Sequence, residues 1–167
     1  YRADALNREG DSRYAQRKFN EALSSYEKAY ASRRTARHYA AYQRALTLGI
    51  LDRPSEKIEA LKRIIELNAG DYVDEATYEL GRTYITRSQY KEGAKVLKEY
   101  VERYPNSPNY LAALSDLGMV SSNLGQNKQA LNYYDQIISQ APTSAEARTA
   151  MQSIREIYLA RGDAQGY

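Results

Sequence analysis

The chain contains no cysteine, no tryptophan, one histidine and one phenylalanine among its 167 residues. Without cysteine it cannot form disulfides, thiolate metal sites or a cysteine nucleophile. The single histidine, His38, argues against zinc ligation and against a histidine-dependent triad, so we expect it on the surface or in a loop. No apolar run approaches the roughly 20 residues of a membrane-spanning helix. These absences predict that this chain has no transmembrane segment, catalytic residue, metal site or cofactor and is not an enzyme.

The charge of the chain is nearly balanced. Lys and Arg number 24 against 21 Asp and Glu, which gives a formal charge of +3 and a pI near 8.9. The two signs are interspersed, whereas nucleic-acid binders usually gather positive charge in one stripe. We therefore expect no nucleic-acid partner. The 17 tyrosines suit a thin helical core, because the ring can be buried while the hydroxyl reaches water.

Two clusters of charged residues allow more than one interpretation. Asp71, Asp74 and Glu75 precede a predicted helix and could bind calcium, but helix capping and the helix dipole explain them more simply. Arg33, Arg34 and Arg37 could contact a phosphate or an acidic partner, and a solvated loop is the simpler explanation.

The most regular stretch of the chain is residues 76–105. It predicts two amphipathic helices joined by a turn at Arg87-Ser88-Gln89-Tyr90. The first helix carries Leu80-Gly81 followed by Tyr84. The second carries Gly93, Leu97 and Tyr100, and Pro105 closes the unit. Apolar residues recur at intervals of three and four, which places them on one helical face.

The same pattern recurs along the whole chain. Equivalent positions return after about 36, 35, 37 and 37 residues, at Ala3, Tyr39, Asp74, Leu111 and Arg148. A repeat of this length indicates stacked helix pairs. We predict one domain over 1–167, a fragment of a longer chain because both ends look like cuts. Its units are 3–36, 37–71, 72–108, 109–144 and a partial unit at 145–167.

Local signals predict helix ends and close packing. Thr35 and Ser55 are expected to cap the helices that follow them, and Gly70 is expected to stop the helix before it. Gly81 and Gly118 are expected to let the paired helices approach, because a side chain there would push the backbones apart.

The order of small and large residues in 76–105 resembles a tetratricopeptide (TPR) repeat. The resemblance covers nearly the whole chain. It implies an all-α fold: a right-handed α-solenoid of stacked antiparallel helix pairs, with about four and a half units.

The links between units carry a second resemblance. Long links such as Tyr104-Pro105-Asn106-Ser107-Pro108-Asn109 resemble those of bacterial envelope TPR proteins of the outer-membrane assembly lipoprotein and Tol-Pal accessory type. A wider combination looks like long TPR proteins of Bacteroidetes: Tyr42-Gln43, Leu80-Gly81-Arg82, Tyr104-Pro105-Asn106-Ser107-Pro108, and Ile157-Tyr158 followed by Gly162-Asp163. This resemblance implies a location in the periplasm or cell envelope.

In TPR proteins the first helix of each unit lines a concave groove. By position, the resemblance assigns fourteen residues of this chain to a partner-binding groove. They are Asn7, Asp11, Tyr14, Gln43, Arg44, Thr47, Tyr78, Glu79, Arg82, Ser115, Met119, Asn123, Gln152 and Glu156.

The function that follows is a protein-interaction module. It would hold a peptide or partner helix in the groove, as part of an envelope assembly or scaffold. One alternative is a structural spacer in a longer TPR protein whose activity lies elsewhere. A further alternative is a glycan- or nucleic-acid-binding module that uses tyrosine stacking. The sequence identifies neither the partner nor the oligomeric state.

Overall fold

Every regular element that the computed structural model describes is a helix. The structure describes residues 2–32, 37–68, 70–160 and 162. The predicted all-α class of stacked helix pairs is confirmed. The elements are α1 (Arg2–Ala15), α2 (Phe19–Ala31), α3 (Arg37–Ile50), α4 (Pro54–Glu66), a 3₁₀ helix (Gly70–Tyr72), α5 (Val73–Thr86), α6 (Tyr90–Arg103), α7 (Tyr110–Asn123), α8 (Asn127–Gln140) and α9 (Ala145–Ala160).

The chain divides into two compact units, an amino-terminal unit of residues 1–80 and a carboxy-terminal unit of residues 81–167. The boundary lies inside α5. In the amino-terminal unit, α1 packs on α2 and α3, and α3 packs on α4 and the 3₁₀ helix. Its core is built from small and large apolar side chains that alternate along these helices, among them Ala22, Tyr26, Ala45, Leu48 and Leu61.

The carboxy-terminal unit has its own core. Helix α7 packs on α6, α8 and α9, and α8 also packs on α9. The buried side chains that meet at the centre of these contacts come from three helices. They are Leu114, Ala130, Tyr134, Ile137, Ala147, Ala150 and Ile157.

The turn that joins the two helices of a pair has the same form each time. One residue takes a left-handed backbone: Arg17, Asp52, Ser88 and Gly125, with φ of 61°, 54°, 59° and 72°. The amide of the next residue then donates to the carbonyl of the residue five positions earlier, as Gln89 does to Tyr84 at 2.9 Å. This is the Schellman ending of a helix. Gly162, with φ of 72°, continues the series after α9.

Glycine makes room for a large side chain from the partner helix. A Cβ at Gly10 would lie 2.5 Å from Cε1 of Tyr26, and one at Gly81 would lie 2.5 Å from Cδ2 of Leu97. Gly118 and Tyr134 form a third such pair. In each pair the large residue follows the glycine by sixteen positions, so the contact repeats with the sequence period.

The predicted helix ends need two corrections. Ser55 does not cap α4, because the helix starts at Pro54 and Arg53 is the N-cap residue. The Arg53 side chain makes no capping hydrogen bond. The proline ring fixes φ near the helical value, so the first helical position suits it. Gly70 does not stop α4 either, because the helix ends at Glu66. Gly70, with φ of 74°, opens the 3₁₀ helix instead.

Two residues expected in or beside the loop between the first two pairs belong to α3 instead. His38 lies in α3, half-buried, and its ring sits where a side chain at Gly70 would stand. Arg37 also belongs to α3, and its guanidinium lies 4.8 Å above the centre of the Tyr30 ring. The predicted cap Thr35 lies outside the described residues, as do Arg33 and Arg34.

Candidate functional site

Two of the predicted groove residues are buried. Asn7 is 7% exposed and Thr47 is 0% exposed. The Thr47 hydroxyl donates to the Gln43 carbonyl at 2.7 Å, inside its own helix. A threonine satisfied in this way can enter a core, so its polarity does not mark a solvent face. Both side chains are thus largely shielded from solvent in the structure, and their contact with a partner stays a prediction.

Asp11 joins three helices of the amino-terminal unit. Its Oδ1 accepts a hydrogen bond from the Tyr26 hydroxyl at 2.8 Å and another from the Tyr39 hydroxyl at 2.7 Å. Burial raises the pKa of both tyrosines, and the bond to the Asp11 carboxylate raises it further. The aspartate of α1 thereby holds α2 and α3, a structural role that the sequence pattern does not reveal.

A row of tyrosine rings extends from this bond. The rings of Tyr39 and Tyr72 meet edge to face, with centroids 6.1 Å apart, and the rings of Tyr72 and Tyr42 stack at 5.4 Å. Burial raises the pKa of Tyr42 to about 12, with further contributions from the carboxylates of Glu79, Glu75 and Asp74. The row thus ends beside a concentration of negative charge.

Glu79, a predicted groove residue, already has a cation. Its Oε1 lies 2.5 Å from Nζ of Lys57 on α4, and both side chains are mostly buried. Nearby, burial raises the pKa of Glu75 to about 7, and its hydrogen bond with Asp74 raises it too. Tyr78 lies half-buried on the same helix. The predicted residues of α5 are thus partly engaged in helix packing.

Arg44 lines a cavity of about 730 Å³ between α2, α3 and α4. Its Nε lies 3.5 Å from Oε1 of Glu27, and Arg63, Ile64 and Glu59 line the cavity beside it. Of the thirteen described lining residues, six belong to α4, the second helix of the pair, and Tyr30 belongs to α2. Arg44 therefore contacts the second helices, which the groove prediction did not anticipate.

The other two predicted residues of the amino-terminal unit are half-buried. The Tyr14 ring meets Phe19 edge to face at 5.3 Å, across the turn between α1 and α2. Gln43 is half-buried on α3. Neither residue lines the 730 Å³ cavity to which Arg44 contributes.

In the carboxy-terminal unit, Arg82 and Asp116 connect α5 to α7. Nε of Arg82 lies 3.7 Å from Oδ2 of Asp116, and the Arg82 side chain is exposed. Ser115 lies half-buried next to Asp116. Both predicted residues thus remain at the surface, at an ion pair between two first helices.

A cavity of about 520 Å³ brings three of the predicted residues together. Met119 and Asn123 come from α7, and Glu156 comes from α9. Met119 is 39% exposed. We call this cavity the α7–α9 pocket. Its remaining lining residues are Ser122, Gly125, Asn127, Tyr134, Ser153, Ile157 and Ala160. The last predicted residue, Gln152, is exposed on α9 and does not line it.

The α7–α9 pocket combines apolar walls with groups that can hydrogen-bond. Burial raises the pKa of Tyr134, a hydrogen bond with Ser153 lowers it, and the Glu156 carboxylate raises it. The phenol, the Ser153 hydroxyl and Glu156 therefore share one electrostatic environment. Amide groups of Asn123 and Asn127 supply donors and acceptors at the wall. The lining thus offers apolar contact beside groups that donate and accept hydrogen bonds.

The sequence pattern misses the part of the pocket contributed by α8. Tyr134 reads as a core residue of the second helix, yet it lines the pocket while remaining almost fully buried. Its distance of sixteen residues from Gly118 is the signal that places its ring between the helices. Ser153 carries no comparable signal.

Among the described residues, no group of three or more His, Cys, Asp or Glu side chains could hold a metal ion. No helix in the described part of the chain is long and apolar enough to cross a membrane.

Comparison with known proteins supports the repeat pattern directly. The family model described as "Tetratricopeptide repeat" matches residues 75–107 and 112–144. These two segments are tetratricopeptide repeats. The TPR model thus covers the α5–α6 pair and the α7–α8 pair, which include Met119 and Asn123 of the α7–α9 pocket. No protein of curated function matches the chain significantly.

Solved TPR-like structures share the fold over nearly the whole chain. A MamA structure has a TM-score of 0.76 at 24% identity and covers 93% of this chain and 85% of its own. MamA of Desulfovibrio magneticus RS-1 has a TM-score of 0.81 at 16% identity, covering 99% and 88%. A putative kinesin light chain of Podosopora anserina has a TM-score of 0.76 at 19% identity, covering 99% and 89%. At these identities the likeness establishes the fold. TPR modules bind protein partners.

Proposed function

We propose that the chain is a non-catalytic interaction module that binds a peptide or helix of a protein partner at the α7–α9 pocket. The observation that carries the proposal is the meeting of Met119, Asn123 and Glu156 in one cavity. These residues belong to the first helices of successive pairs, where TPR proteins bind their partners. The size of the cavity, about 520 Å³, falls within the range of binding clefts.

The lining chemistry supports a peptide ligand. Met119 is exposed, and a flexible thioether side chain adapts to the shape of an apolar ligand. Asn123 and Asn127 can each donate to and accept from a peptide backbone. A partner segment could therefore bury an apolar side chain and keep its backbone hydrogen bonds.

The proposed binding site includes only part of the fourteen predicted groove residues, because several of the others are already bonded or buried. Asp11 and Glu79 are bonded within the amino-terminal unit, and two further positions are buried. Displacing such bonds would oppose binding, because a buried polar group left without a partner is unfavourable. The proposal therefore centres on the carboxy-terminal unit.

Site-specific photo-crosslinking tests this function. A benzophenone amino acid would replace Asn123 in the pocket, and a control would carry it at Lys95, which is exposed on α6. We expect the same protein adduct to form in native cells from Asn123 and not from Lys95. Adducts from Lys95 alone would place binding on another surface, and the absence of adducts from both would favour the spacer role.

We further propose that this partner belongs to a bacterial envelope assembly or scaffold, and that the chain works in the periplasm or cell envelope. The support is the likeness of the link at 104–108 to envelope TPR proteins. Fractionation of cells that express the full gene product is the test. Recovery with the cytoplasmic fraction would contradict the compartment and leave the binding proposal intact.

A further inference from the structure

The lining of the α7–α9 pocket indicates which partner chemistry it accepts. Glu156 is the charged side chain among the residues that line it, and it is exposed on α9. Its carboxylate adds to the shift that burial produces in the Tyr134 pKa. The negative field of Glu156 thus reaches into the cavity, to the phenol at its wall.

The other described residues of the lining are uncharged. Met119, Ile157, Ala160 and the ring of Tyr134 supply apolar surface, while Asn123 supplies an amide. An anionic ligand would meet Glu156 without a compensating cation from these described residues. A wholly apolar ligand would gain no attraction from the exposed Glu156 carboxylate. A cationic side chain beside an apolar one satisfies both parts of the pocket.

We propose that the α7–α9 pocket binds a partner segment in which an apolar side chain neighbours a lysine or arginine. The apolar side chain packs against Met119 and Ile157, and the cation pairs with Glu156. This inference rests on the proposed function and narrows it to one class of peptide. It distinguishes partners by charge, since the same segment with Glu in place of Lys would place two carboxylates together.

The two methionines of the chain provide the readout. Met119 lines the pocket, whereas Met151 is exposed on α9 and does not line it. Protein labelled with ¹³C at the methionine methyl groups gives one NMR signal for each. The probe is the peptide acetyl-Leu-Lys-Leu-Lys-amide, compared with acetyl-Leu-Glu-Leu-Glu-amide.

We expect the Leu-Lys peptide to shift the Met119 methyl signal saturably and to leave Met151 unchanged. The Leu-Glu peptide should leave both signals unchanged. Glu156→Gln should weaken the Leu-Lys peptide about threefold, the size of a partly exposed charge pair. The matched control, Glu99→Gln on the exposed surface of α6, should not change the affinity.

Several results would overturn the inference. The charge preference would be contradicted by equal shifts with both peptides. It would also be contradicted by equal shifts of the Met119 and Met151 signals, or by an unchanged affinity in Glu156→Gln. No shift with either peptide at millimolar concentration would do the same. A Met119 shift that follows protein concentration without peptide would make a second copy the occupant. Crosslinking from Asn123 would still stand in these cases, so failure of this inference is distinguishable from failure of the proposed function.

Discussion

The Tyr134 ring occupies the space that a side chain at Gly118 would need. A Cβ at Gly118 would lie 2.7 Å from Cζ of Tyr134, far inside van der Waals contact. Both residues are buried, in α7 and α8 respectively. Because Tyr134 also lines the α7–α9 pocket, this contact ties the packing of the helix pair to the wall of the candidate site.

Gly118→Val should destabilise the protein by about 1–3 kcal/mol, because overpacking forces the Tyr134 ring or the helix backbone to move. The measurement is the free energy of unfolding from urea titration. Met119→Val is the control, since it places the same β-branched residue at the next, exposed position of α7. Equal stability of Gly118→Val and the parent protein would contradict the close packing of these helices.

The repeat and the turns could be predicted from sequence because their causes are local. The left-handed residue of each turn and the glycine that receives a large side chain recur with the sequence period, at Ser88 and Gly125 and at Gly81 and Gly118. Spacing alone determines which residues of one helix face its neighbour. The all-α fold of stacked helix pairs follows from that pattern.

The candidate site was less predictable because polarity does not decide exposure. Thr47 satisfies its hydroxyl within the helix and is buried. Asp11 meets tyrosines that lie 15 and 28 residues away in sequence. Glu79 meets Lys57 in the same way, at a separation of 22 residues. Such long-range partners depend on how the helices pack, and no local pattern encodes them.

The turn residues predict opposite effects for two matched substitutions. Ser88 adopts φ of 59° and Gly125 adopts φ of 72° at equivalent turns. Ser88→Gly should stabilise by about 0.5–1 kcal/mol, because glycine tolerates the left-handed backbone, and Gly125→Ala should destabilise by a similar amount. No atom lies within 4 Å of the added Cβ at Gly125, so that change reports backbone strain alone. Thermal unfolding measures the stability change of each variant. Changes of the same sign in the two melting temperatures would contradict a left-handed backbone at both positions.

Asp11→Ala should destabilise the protein by about 2 kcal/mol, because it leaves two tyrosine hydroxyls without their charged acceptor. Tyr39→Phe removes one of these bonds and should have a smaller effect, about 1 kcal/mol. A double-mutant cycle from urea unfolding tests the link: once Asp11 is alanine, Tyr39→Phe should change stability little. Additive effects would show that the two residues act independently.

Glu75 should make stability depend on pH. Burial raises its pKa to about 7 from an ordinary value of 4.5, so the folded protein holds the proton more tightly than the unfolded chain. Linkage then requires that protonated Glu75 contribute to the free energy of unfolding below pH 4.5, and that this contribution be lost as pH rises through 7. We expect the loss to be about 1 kcal/mol, because partial exposure of the side chain screens the effect.

Glu75→Gln isolates this contribution, since the amide cannot ionise but keeps the shape of the carboxylic acid. The variant and the parent protein should be equally stable near pH 4, and the variant should be more stable by about 1 kcal/mol near pH 8. Urea unfolding across this range measures the difference, in which the titration of other groups cancels. Glu92→Gln, at an exposed position of α6, should track the parent protein at every pH. A Glu75→Gln curve parallel to the parent curve would mean that Glu75 titrates alike in the folded and unfolded chains.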